Sequence, residues 1–89
     1  MSKIYMISYD LNSPGQNYDK LISEIKTYNG WCKVLKSLWF VYSDKTAADI
    51  CNHLHQFVDQ NDHIFVNELT TNRQGWLSQN VWDWINKYQ

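Results

Sequence analysis

The residue of this chain best placed to do chemistry is Asp10, which closes the apolar run "IYMISY" and precedes a turn-rich loop of Asn12, Ser13, Pro14, Gly15, Gln16 and Asn17. A carboxylate at the end of such a strand has two readings. It is a strand end reaching water, or a cap for the Ser13–Pro14–Gly15 turn. Alternatively it is a ligand for a hard divalent cation. Magnesium takes one or two carboxylates, with waters and substrate phosphates completing its shell. A single Asp10 therefore serves best when a two-fold axis sets a second Asp10 across a shared cleft.

The remaining reactive side chains form no such arrangement. His53 and His55 lie two apart in a helical stretch, so they diverge and cannot share a metal as an i, i+4 pair does. His63 begins a strand, and surface or capping roles fit all three histidines. Ser37 has no readable His–Asp partners and reads as a turn residue. Lys33 and Lys36 flank Val34 and Leu35 as a small basic patch, which reads as a solvated edge. Cys32 and Cys51 are too few for a disulfide framework and too far apart for a Cys-x-x-Cys site. Cys51 falls on a helical apolar face, which predicts a buried thiol. No Gly-rich phosphate loop, paired-carboxylate motif or zinc spacing occurs.

Charge and composition narrow the classes. Eight Lys/Arg stand against nine Asp/Glu, a net charge of −1, and Arg73 is the only arginine. That balance counts against a nonspecific grip on nucleic acid, whose affinity comes mostly from neutralised phosphates. With 89 residues the chain is one domain, 1–89. Five Trp, six Tyr and three Phe exceed what one small core comfortably hides, so a homodimer is expected. The aromatics also suit base stacking, but "SLWFVYS" has no interleaved Lys or Arg, and core or dimer interface is the better reading. The N-terminus lacks the apolar core of a signal peptide and no stretch reaches membrane-spanning length. A soluble, cytoplasmic protein without membrane contact is the expectation.

The elements that must position these residues follow from periodicity. Residues 3–10 are apolar on both alternating faces, which predicts a central strand. Tyr18, Leu21, Ile22, Ile25 and Tyr28 predict a helix, with Asn17 as its cap and Asn29–Gly30 as its stop. "WCKVLKSLWFVYS" divides near Lys36 and Ser37 into two antiparallel strands, a single bent strand being the alternative. Thr46 and Asp49 form a capping box ahead of a helical face of Ala47, Ile50, Cys51, Leu54, Phe57 and Val58. "HIFVNEL" is a fourth strand. A tail helix at about 76–88 carries Leu77, Val81, Trp84, Ile85 and Tyr88 on one stripe, leaving Trp76 and Trp82 off it. The order is an α+β, ferredoxin-like β-α-β-β-α-β core over about 3–70, with a four-stranded antiparallel sheet and a C-terminal helix. Two helices cover one sheet face, and the other is expected to be bare, aromatic-rich and suited to a second sheet.

A first strand ending in Tyr9–Asp10, this core order, and "KSLWF" at the second and third strands resemble the CRISPR-associated protein two family. Virulence-associated protein D ribonucleases share the same core. The resemblance implies a small homodimer, the nonintegrase partner in spacer acquisition, some members being metal-dependent nucleases of RNA or double-stranded DNA. It implies Asp10 as the catalytic, metal-binding acid, with magnesium or manganese bridging two copies, and Ser37 as the serine at the strand bend. Lys33, Lys36 and Ser37 are then the nucleic-acid contacts, and an integrase or other protein is a partner. Where that family carries Arg and Lys after the acid, this chain has "NSPGQNYDK", and Leu35 replaces a frequent glutamine. The contrasting expectation is a catalytically silent dimer of the same fold, a protein-binding or regulatory module whose Trp76, Trp82 and Trp84 dock a partner or the sister subunit.

Overall fold

A computed structural model describes residues 1–12 and 18–89. The order is β1 (Lys3–Asp10), α1 (Asp19–Ile25), β2 (Gly30–Leu35), β3 (Leu38–Ser43), α2 (Ala47–His55), β4 (His63–Glu68) and α3 (Gln79–Tyr88). The strands form one antiparallel sheet in the order β2-β3-β1-β4. This is the α+β arrangement expected, with the β-α-β-β-α-β order and a C-terminal helix. The predicted Asn17 cap and the Ser13–Pro14–Gly15 turn lie outside the described residues.

β1 is central because it is apolar on both faces. Tyr5 and Ile7 point to the side of α1 and α2, where they pack with Trp39, Val41, Leu21, Ile25, Ile50 and Leu54. Ile4 points the other way, into a second cluster with Phe40, Leu69, Val81 and Ile85. Each fully buried aliphatic side chain contributes on the order of 1.5–3 kcal/mol relative to exposure, so neither layer is dispensable in a domain this small. α2 starts on the expected capping box: Thr46 Oγ1 accepts from Asp49 N at 3.1 Å, and Asp49 Oδ2 accepts from Thr46 N at 3.4 Å. Cys51, expected to be buried, is only half-buried, because the α2 face turned fully inward is that of Ile50 and Leu54.

The second sheet face departs from expectation. It is not bare, since α3 crosses it and buries Val81 and Ile85 against Ile4 and Phe40. Trp84 tilts against Phe40 at 6.3 Å between ring centroids, and Tyr88 against Tyr42 at 4.5 Å. Much of the aromatic surplus thus covers the chain's own sheet. The helix also begins later than predicted, at Gln79 behind an extended Ser78. Trp76 therefore stands outside it, fully exposed.

Asn12, Tyr18 and Asp59, near the Asp10 end, are tied together through one carboxylate. Buried Asp62 accepts from Asn12 N and Asp59 N, each at 2.7 Å, and from the Tyr18 hydroxyl at 2.8 Å. Burial alone would raise this carboxyl, but the two amides, the Tyr18 hydroxyl and nearby His63 outweigh it and hold it below the usual aspartate value.

Candidate functional site

Register decides which residues share the face of Asp10. In antiparallel pairing, directly opposed residues lie on the same side of the sheet, their Cβ atoms about 4.5–5.5 Å apart. Asp10 opposes His63, Ser8 lies between Leu38 and Phe65, and Met6 lies between Phe40 and Asn67. All of these occupy the α3 side. α3 covers the Ile4 end of that face, whereas the end nearer Asp10 is open. Met6, Ser8, Leu35, Ser37, Leu38 and Phe65 line a cavity of about 470 Å³ there. Leu35 is 54% exposed and Phe65 67%. A second cavity, of about 570 Å³, continues from it under Trp76 and Trp82 and shares Met6, Leu35 and Leu38.

Asp10 is exposed at the rim of this strip, and among the described residues its carboxylate makes no ion pair. Ser37 is brought to the same side by the β2–β3 turn. That turn forms without Gly or Asn because β1 holds it: Tyr9 N donates to Ser37 O at 3.2 Å, and the Tyr9 hydroxyl donates to Lys36 O at 3.4 Å. Trp39 Nε1 in turn donates to the Tyr9 oxygen at 3.0 Å.

The expected lysine contacts are divided between the opposite face of the sheet and the turn. Lys33 opposes Trp39, on the α1/α2 side of the sheet, with Nζ 5.8 Å from the Trp39 ring centroid. Lys36 occupies the turn itself. Arg73 binds Thr70 O and the Gln89 side chain and lines the second cavity with Trp76 and Trp82. Among the described residues no group of three or more His, Cys, Asp and Glu could hold a metal ion. One chain offers Asp10 with His63 opposite, a donor set that would suit a hydrated hard cation better with a carboxylate from a second copy.

A second polar cluster has no signal in the sequence. The Tyr28 hydroxyl lies 2.8 Å from His53 Nδ1, and His53 Nε2 lies 2.8 Å from Glu24 Oε1. These groups come from α1, the loop after it, and α2, with His53 lying 29 residues from Glu24. Tyr28 and His53 line a polar cavity of about 510 Å³ with Lys45, Asp44 and Asp49. Burial first, then the Glu24 and Asp49 charges, push the Tyr28 phenol up to about 12. The phenol therefore stays protonated and donates to Nδ1, leaving Nε2–H for Glu24. The hydrogen bond from His53 is the main reason the Glu24 carboxyl is held below its usual value. With all partners satisfied, this cluster staples α1 to α2.

No protein-family model matches this chain, and no solved structure matches it. No helix among the described residues is long and apolar enough to cross a membrane.

Proposed function

We propose that two copies associate through the open strip of the second sheet face and that the paired Asp10 residues form a divalent-metal site for cleaving RNA or double-stranded DNA in the cytoplasm. The observation that carries this reading is the position of Asp10: an exposed carboxylate at the end of the central strand, beside the exposed Leu35 and Phe65. Joining two such strips removes apolar surface from water and brings two carboxylates to one boundary, which a single chain cannot do. Magnesium or manganese bound there would lower the pKa of a coordinated water and stabilise charge on the phosphate oxygens. Of the chain's own groups, Asp10 would hold the ion, His63 stands directly across the strands, and Ser37 lies on the same face. The resemblance of Tyr9–Asp10 and "KSLWF" to CRISPR-associated protein two adds support. An integrase-like protein partner belongs to this reading.

A second reading, a catalytically silent dimer that binds other proteins, is favoured by a different observation: Lys33 lies on the opposite face of the sheet from Asp10. A nuclease assay separates the two. Wild type and Asp10→Ala, first shown to be equally folded dimers, are incubated with labelled RNA and duplex DNA, with magnesium, manganese or chelator. Cleavage that needs metal and vanishes in Asp10→Ala supports the nuclease. No cleavage leaves the silent module, and cleavage unchanged by the substitution removes Asp10 from the chemistry.

A further inference from the structure

The lysines missing from the Asp10 face reappear around an indole on the other side of the sheet. β2 is an edge strand, and Trp31, near its start, is 41% exposed on the α1/α2 side. Its ring lies 5.8 Å from that of buried Trp39, tilted by 51°. Lys26, just past the end of α1, places Nζ 5.0 Å from the Trp31 centroid and 6.0 Å from that of Trp39. Lys33 places Nζ 5.8 Å from Trp39. Among the described residues neither lysine has a carboxylate partner; the ion pairs there are Lys3–Glu68, Lys20–Glu24 and His53–Glu24. Two uncompensated ammonium groups thus converge on one aromatic pair in a chain whose net charge is −1.

We infer that this edge is a contact site for single-stranded nucleic acid, with Trp31 stacking a base and Lys26 and Lys33 holding the flanking phosphates. The inference rests on the nucleic-acid reading above and gives it a docking surface separate from Asp10. An exposed indole stacks any base, since every base has a π-face, and neighbouring cations track the backbone. Lysine suits the exchange. Its flexible four-carbon stem lets the ammonium leave the ring for a phosphate while a base takes its place. A duplex keeps its bases stacked internally and cannot use Trp31, so single strands are the ligand.

The test is fluorescence anisotropy with labelled oligo(dT) and oligo(rU), run in chelator so that no metal-dependent cleavage contributes. A duplex of equal length and inorganic polyphosphate serve as controls. Wild type is expected to bind the single strands more tightly than either control. Trp31→Ala is expected to weaken binding about tenfold or more, and Trp31→Phe to restore part of it. The double variant Lys26→Gln/Lys33→Gln is expected to flatten the salt dependence by about 1.4 in log K against log salt, since each phosphate contact on a single strand contributes about 0.7. Both lysines are exposed, so this variant should fold even if Trp31→Ala does not; circular dichroism checks each. Absence of single-strand binding at low salt, binding no better than to polyphosphate, or binding unmoved by the Trp31 and lysine changes overturns the inference. Binding without cleavage refutes the nuclease and leaves this site standing. Cleavage with no dependence on Trp31, Lys26 or Lys33 does the reverse.

Discussion

Gly30 opens β2 at the point where the last turn of α3 meets the sheet, and substituting it tests whether that helix is seated as described. A Cβ at this position would lie 2.8 Å from both Cζ and Oη of Tyr88 and 3.1 Å from its Cε2. Carbon atoms in contact sit about 3.5–4.0 Å apart, so in Gly30→Ala the Tyr88 ring must retreat by roughly 1 Å. That ring packs at a tilt against Tyr42, the cross-strand partner of Gly30, and against Trp84 at 4.8 Å. Aromatic contacts of this kind contribute about 0.5–1.5 kcal/mol each beyond area, and overpacking costs about 1–3 kcal/mol. Ala is better than Gly within a strand by about 0.5–1 kcal/mol. The expected net effect is a loss of about 1–2 kcal/mol, and a domain of this size loses about 4–8 °C in Tm per kcal/mol. In a Tyr88→Ala background the obstacle is gone, and the same Gly30→Ala change should stabilise slightly. Urea unfolding of wild type, both single variants and the double variant, followed by Trp fluorescence, measures the coupling. If Gly30→Ala costs the same in both backgrounds, within the 0.5 kcal/mol or so expected of independent sites, α3 does not pack on this sheet as described.

Two further outcomes test the staple and the strip. Because the Tyr28 phenol is pushed up to about 12 from its ordinary 10, its contribution to stability is fully present below pH 10 and is lost as pH rises through 12; ultraviolet titration should show one tyrosine ionising late, and Tyr28→Phe should cost about 1 kcal/mol at neutral pH while removing that alkaline loss. An unchanged alkaline profile in Tyr28→Phe would place the late-titrating phenol elsewhere. Phe65→Glu puts a charge on the 67% exposed position in the open strip, so it should leave the fold intact and shift light-scattering mass from dimer to monomer. A wild type that is monomeric, or a dimer indifferent to Phe65→Glu, would detach the strip from self-association.

What sequence could and could not reveal follows from the range of each interaction. The central place of β1 was legible because both alternating sets, Ile4 and Met6 against Tyr5 and Ile7, are apolar. The Thr46–Asp49 capping box was legible because it is local, and the break at Lys36–Ser37 came from strand length although the group that enforces it, Tyr9, is 27 residues away from Lys36. The stripe on α3 was visible too. Its destination was not, since periodicity names a helix face without naming the sheet face that receives it. The same limit governs the site. Asp10 was visible as a strand end, but His63 opposite it, the turning of Lys33 to the far side, and the meeting of Glu24, His53 and Tyr28 depend on long-range register and packing that no local pattern encodes.

That division of residues between the two faces bears directly on how the two proposed sites would work together. Along β2, Trp31 and Lys33 share one side at a strand repeat of about 6.8 Å, and the strand then runs into the turn at Lys36 and Ser37. The turn is tied to Tyr9, the residue before Asp10. A single strand seated on Trp31 would therefore follow the β2 edge past Lys33 to this turn, which lies at the Asp10 end of the sheet, and only there pass to the other face. Basic residues then need not surround the acid. On the proposed path they would lie upstream of it, where they would add affinity without their charges drawing Asp10 into ion pairs of its own. On this arrangement a near-neutral chain can hold a polyanion at one edge and keep a free carboxylate at the other, so the scatter of its lysines is compatible with a nucleic-acid ligand that a cluster around Asp10 would have made obvious.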